Sequence, residues 1–240
     1  WMIADYTSQL EQKRNRFVYA MKRVGFDTAQ LTISAVHPAP QTYRYRNRCQ
    51  LKTDGVQLGF ISEHSHQIAP IDDCIVLNDS CRKLLKTALM RLPNTAWQSD
   101  PGEDLNVIEL DDELPPEAIH INQKRPFKQG NTSQNLWMQN WLRQKLAQNT
   151  PLGKVVELFC GSGNFTQIIA ESNCTAILAY ESESSAIQSL KARNFAKVNP
   201  QVADLFQPMI WKKIKKQVID AETLVLDPPR SGLKKLQGFF

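Results

Sequence analysis

The chain has 240 residues, 42% of them apolar and 22% charged, with only ten glycines and thirteen prolines, so it can bury one large core or two ordinary ones. That composition excludes a collagen-like, linker-like or wholly disordered polypeptide, and no apolar run approaches the roughly 20 residues that span a bilayer. The net charge of +5 is modest and unevenly placed, concentrated in the first fifty residues, which hints at an anionic partner; five cysteines, an odd number at irregular spacing, suit a reducing, cytoplasmic setting.

The first segment predicts a helix: Ser8 and Glu11 have capping-box spacing, Tyr6, Leu10, Phe17, Met21 and Val24 fall mainly on one face, and Gly25 follows. From Leu31 to Leu77 short β-type runs take over, with a hairpin expected around Asp54-Gly55 between Gln50–Thr53 and Val56–Ile61. Tyr43 and Tyr45 alternate with Arg44, Arg46 and Arg48; on a strand the three arginines share a face, suited either to RNA phosphates or to guarding an exposed sheet edge. Helical spacing returns from Cys81 to Leu92, a strand is expected over Leu105–Leu110, and the acidic, Pro-rich stretch that follows marks a domain boundary, dividing an α+β domain, 1–116, from a second domain, 117–240.

In the second domain Thr132 or Ser133 can cap a helix reaching Gln148. Strands are expected over Lys154–Phe159, Thr175–Glu181, Gln201–Ala203 and Thr223–Leu226, with a helix over Ser184–Val198. Strands alternating with helices predict an α/β fold with a doubly wound, Rossmann-like parallel sheet. Such sheets bind ligands at the carboxyl ends of their strands. The first strand runs into Gly161-Ser162-Gly163, a turn that brings backbone N–H groups against a ligand at a helix start; a tight turn with no ligand is the alternative. The second strand ends at Glu181, placed to accept from two ribose hydroxyls, and Asp204 follows the third. The fourth ends in Asp227-Pro228-Pro229-Arg230, where two prolines fix the backbone beside a carboxylate. The third glycine of the dinucleotide fingerprint is missing, so a single-nucleoside ligand such as S-adenosylmethionine fits better than NAD.

The run Leu158 to Phe165, Tyr180-Glu181, Asp227 to Leu233 and Phe127-Lys128-Gln129-Gly130-Asn131 together resemble the 5-methyluridine RNA methyltransferase family, and the likeness reaches into the first domain at Tyr45 to Arg48, Gly59-Phe60 and Ile71 to Cys74. The resemblance implies S-adenosylmethionine as cofactor, held by Gln129, Phe159, Gly161, Gly163, Asn164, Glu181, Asp204 and Asp227, and an RNA substrate, either ribosomal or transfer RNA, with ribosomal RNA favoured. It implies methylation of carbon 5 of uridine through a cysteine thiolate adduct at carbon 6, with Asp227 orienting. The family's nucleophilic cysteine and its general base lie beyond the stretch that this sequence covers. The expectation is therefore a monomeric piece of a longer enzyme, inactive alone. Some family members hold a 4Fe-4S cluster, and there Cys74 resembles the fourth ligand; a buried structural thiol is the other reading. An amino-methylating nucleic-acid methyltransferase and a noncatalytic RNA-binding fragment remain alternatives. Arg230, standing where amino-methylating enzymes carry an aromatic residue, disfavours the first of them.

Overall fold

The computed structural model describes residues 4–100, 102–123, 125–230 and 232. Ser231 and Leu233, the end of the Asp-Pro-Pro-Arg segment, lie outside them. The chain forms two compact units, Trp1–Ile121 and Asn122–Phe240, each with its own core.

The first unit opens with α1 (Tyr6–Arg23), whose cap is Asp5 and not Ser8: the Asp5 carboxylate accepts the Ser8 N–H at 3.0 Å, which places the helix start one turn earlier than the capping-box spacing suggests. A four-stranded antiparallel sheet follows, in the order β3 (Ile68–Pro70), β2 (Leu58–Ile61), β1 (Arg48–Thr53), β4 (Asn106–Asp111). The hairpin turns through four residues, since Thr53 pairs with Leu58 and Asp54 Oδ1 accepts the N–H groups of Val56 and Gln57. Alternate residues Cys49 and Leu51 of β1 with Ile108 and Leu110 of β4 form one apolar face, and α2 (Asp79–Met90), capped by Asn78, lays Cys81, Leu84, Leu85 and Ala88 into the same core.

The second unit begins with α3 (Thr132–Gln148), capped by Asn131 and not by Thr132 or Ser133. Its parallel sheet has the order β7 (Val198–Val202), β6 (Ala176–Glu181), β5 (Lys154–Leu158), β8 (Ala221–Leu226). Successive residues of β5 face opposite layers. Val155 joins Ile177 and Ala179 under α3, α4 (Thr166–Ala170) and α5 (Ser184–Ala192), whereas Val156 and Leu158 join Leu178 and Tyr180 under α6 (Pro208–Gln217). The strand order reverses between β5 and β8, and that switch point opens a crevice at the strand tips. The α5 helix stops six residues short of the sequence expectation, because Asn194 takes a left-handed φ of 50° and Val198 is captured by β7 opposite Ile177. Leu224 and Leu226 of β8, the strand at one edge of the sheet, are 40% and 43% exposed.

Candidate functional site

A cleft of about 680 Å³ lies where the tips of β5, β6 and β8 and the loop after β7 meet the segment before α3. Gly161, Glu181 and Asp227 all line it, together with Gln129 and Phe159. Its size falls within the range of small-molecule sites.

Each wall follows from local structure. After Leu158 the chain turns sharply: Phe159 has a φ of 63°, Gly161 of 54° and Gly163 of 97°. For phenylalanine that region costs about 1–3 kcal/mol, and packing against the α6 layer and against Phe206, at a ring-centroid separation of 6.0 Å, holds it there. The turn brings the Gly161 N–H onto Glu181 Oε2 at 3.2 Å. Glu181 Oε1 accepts from the Ser182 N–H and hydroxyl and from the Glu183 N–H, at 2.7, 2.9 and 3.0 Å, so the carboxylate is fixed at the start of α5. Asp227 stands at the mouth, and partial burial pushes its pKa above the usual aspartate value.

The two glycines do different work. Open space surrounds the position a Cβ would take at Gly161, which leaves the backbone accessible from the cleft. A Cβ on Gly163 would lie 2.6 Å from Leu190 Cδ1, so that glycine seats the turn against α5. Gly163, Asn164 and Asp204 do not line the cleft. The Asn164 amide faces α3, and Asp204 Oδ1 accepts the Phe206 N–H at 3.0 Å, shaping the loop that carries Leu205 and Phe206 into the cleft. Phe206, Ser182 and Ala203 line the cleft without being expected from the sequence; an exposed aromatic two residues after a strand-end acid is the available signal for Phe206.

Beneath the site, Glu157 on β5 is buried and accepts the Thr166 hydroxyl at 2.6 Å. Burial is the main cause of its pKa rising to about 8, the hydrogen bond from Thr166 opposes that, and the charge of Asp227 adds to it. Cys160 is buried beside the turn, and burial, with Glu157 and Glu181 nearby, drives its thiol far above the ordinary range. Among the described residues no cysteine lines the cleft.

The arginines of the first unit do not share one strand face. The strand begins at Arg48; Arg44 sits in a bend with a φ of 53°, and Arg46 forms a single bridge to Leu77. Arg44 and Arg46 are exposed, and Arg44 pairs with Asp79 at 3.5 Å. The Arg48 guanidinium is instead nearly enclosed between Glu109, at 2.5 Å, and Asp111, at 3.9 Å. Cys74 packs against the first unit's core. No group of three or more His, Cys, Asp or Glu side chains suited to a metal is found among the described residues.

Residues 116–237 match the family model described as tRNA (Uracil-5-)-methyltransferase. The whole chain is 57% identical to an uncharacterized RNA methyltransferase of Nitrosomonas europaea, of which it covers 61%. Over 95% of its length it is 25% identical to the 23S rRNA (uracil(1939)-C(5))-methyltransferase of Halomonas elongata, covering 60% of that protein. A tRNA/tmRNA (uracil-C(5))-methyltransferase of Actinobacillus pleuropneumoniae is 30% identical over 48% of the chain and is covered to 34%. The chain thus spans about three fifths of the relatives that it matches along nearly its full length. With the family match covering half of the chain, and on the strand-tip motifs described above, the chain belongs to the tRNA (uracil-5-)-methyltransferase family.

Proposed function

We propose that the cleft holds S-adenosylmethionine and that the chain is the cofactor-binding part of an enzyme methylating carbon 5 of a uridine in ribosomal RNA. The observation that carries this is the convergence of Gly161, Glu181, the Phe159–Phe206 pair and Asp227 on one cleft. The fit is chemical as well as spatial. Glu181, oriented by three donors at its Oε1, keeps capacity at Oε2, where only the Gly161 N–H is bound, to accept from a ribose hydroxyl, and the bare Gly161 backbone lets the ligand's polar end approach. Phe159 and Phe206 offer the adenine an apolar wall, and Gln129 and Asp227 add polar groups to the same cleft lining. The cofactor contributes an activated methyl group on a cationic sulfur, and the Glu181 and Asp227 carboxylates favour a cation in the cleft.

Carbon 5 of uracil is weakly nucleophilic and needs a thiolate added at carbon 6, then a base to remove the carbon 5 proton. The thiols nearest the turn do not supply that thiolate: Cys160 and Cys174 are both buried, and the pKa of Cys160 is raised. The 240-residue chain accordingly binds cofactor without turnover. Ribosomal RNA is favoured because the relative named for 23S rRNA aligns across both units, whereas the tRNA/tmRNA relative aligns over about half of the chain. Exposed Tyr43, Arg44 and Arg46 suit base stacking and phosphate contact.

Titration calorimetry with S-adenosylhomocysteine tests the cofactor site. The chain binds it, and Glu181→Ala weakens binding at least tenfold, the value of about 1.4 kcal/mol for lost hydrogen bonds to a charged group. Equal affinity in the variant, or no binding by the chain, would overturn the reading.

A further inference from the structure

The glycine turn is held from behind by side chains that do not reach the cleft. From α3, buried Gln139 donates through Nε2 to the Asn164 carbonyl at 3.2 Å and to Asn164 Oδ1 at 2.9 Å. Asn135, four residues earlier and so on the same helix face, pairs amide to amide with Asn164, giving and receiving a bond at 2.9 Å. Asn164 Oδ1 therefore accepts two hydrogen bonds, its full complement, and one of its two amide hydrogens is committed. From the end of α5, Arg193 Nη1 donates to the Gly163 carbonyl at 3.1 Å, its Nη2 bonds Gln167 Oε1 on α4, and its guanidinium lies 4.8 Å above the Phe195 ring.

A turn built on two glycines has wide conformational freedom of its own, so its shape must be imposed by neighbours. We infer that Asn135, Gln139 and Arg193 are positioning residues that set the turn through Asn164 and Gly163. They keep the Gly161 N–H on Glu181 and the bare Gly161 backbone toward the cleft. Asn164, which the family resemblance puts in contact with cofactor, acts through α3 instead. The inference rests on the cofactor reading of the cleft only for its functional consequence, not for the clamp itself.

The test uses the 240-residue chain with Asn135→Ala, Gln139→Ala, Asn164→Ala, Arg193→Ala and the double variant Asn135→Ala/Asn164→Ala. Amide hydrogen exchange over residues 159–167 is followed without ligand, urea unfolding controls for global stability, and calorimetry gives S-adenosylhomocysteine affinity. Each single variant is expected to speed exchange in the turn while β6 is unchanged, and to weaken binding about 5- to 30-fold. The double variant should bind no worse than the weaker single one, because both residues act through one amide pair. Arg193 is exposed, so its variant keeps the test valid if Gln139→Ala disrupts packing. Unchanged turn exchange in all single variants, or multiplying effects in the double variant, would overturn the inference. If no form binds the probe yet the turn loosens as expected, the clamp stands and the cofactor reading falls.

Discussion

Glu157 makes the stability of the second unit depend on pH in a direction opposite to that of most carboxylates. Its side chain lies on the central strand with 2% exposure, and the folded protein keeps its proton to about pH 8, against an ordinary value of 4.5. Between those values the folded state binds the proton that the unfolded state has released, so stability falls as pH rises. The contribution is fully present below 4.5 and is gone above 8. A rise from 4.5 to about 8 corresponds to on the order of 5 kcal/mol. Glu157→Gln preserves the shape and the acceptor for the Thr166 hydroxyl but cannot ionise. Urea unfolding of both proteins at pH 5, 6, 7 and 8 should show the parent losing several kcal/mol relative to the variant across that range. Asp227→Asn should move the parent's midpoint to lower pH, since the Asp227 charge helps hold the proton on. Parallel stability curves for parent and Glu157→Gln would refute the reasoning.

The paired glycines separate binding from folding. Gly161→Ala should cost only about 1 kcal/mol of stability, because its Cβ meets nothing within 4 Å, yet weaken S-adenosylhomocysteine binding about tenfold or more in calorimetry by putting a methyl group into the cleft. Gly163→Ala, at a φ of 97° and 2.6 Å from Leu190 Cδ1, should instead lower the urea midpoint by an amount equivalent to about 1–3 kcal/mol. In the first unit, Gly59→Ala would set a Cβ 1.9 Å from the Ala69 carbonyl oxygen on β3; thermal unfolding should register a loss of about 3 kcal/mol, with probe binding retained.

The alternation of strands and helices in the second unit is legible because buried parallel strands such as Ile177 to Tyr180 are apolar on both faces. The sequence expectation for the third strand covers only Gln201–Ala203, whereas β7 begins at Val198 and runs through Pro200, whose missing N–H is harmless at the sheet's edge. Helix starts were misplaced by a few residues, at Ser8 for Asp5 and at Thr132 or Ser133 for Asn131, because several short polar side chains compete for the same free N–H groups. Within the cleft, strand-end acids and glycines were visible from their order alone. What order could not tell was which neighbours within one motif turn toward the ligand. Gly161 meets open space whereas Gly163, two residues on, abuts Leu190, and Asn164 is claimed by helix residues 25 and 29 positions upstream. Arg48 departs from the expected arginine face for a similar reason: its acidic partners arrive from β4, about sixty residues later.

Strand β8 carries a consequence for handling this polypeptide. Among the described residues β8 pairs on one side only, and its other row of amides and carbonyls, beside half-open leucines at 224 and 226, is a template on which another extended segment can be laid. In concentrated solution the nearest such segment belongs to a second molecule. Dilution is the natural remedy, and self-association that fades on dilution reports on this edge.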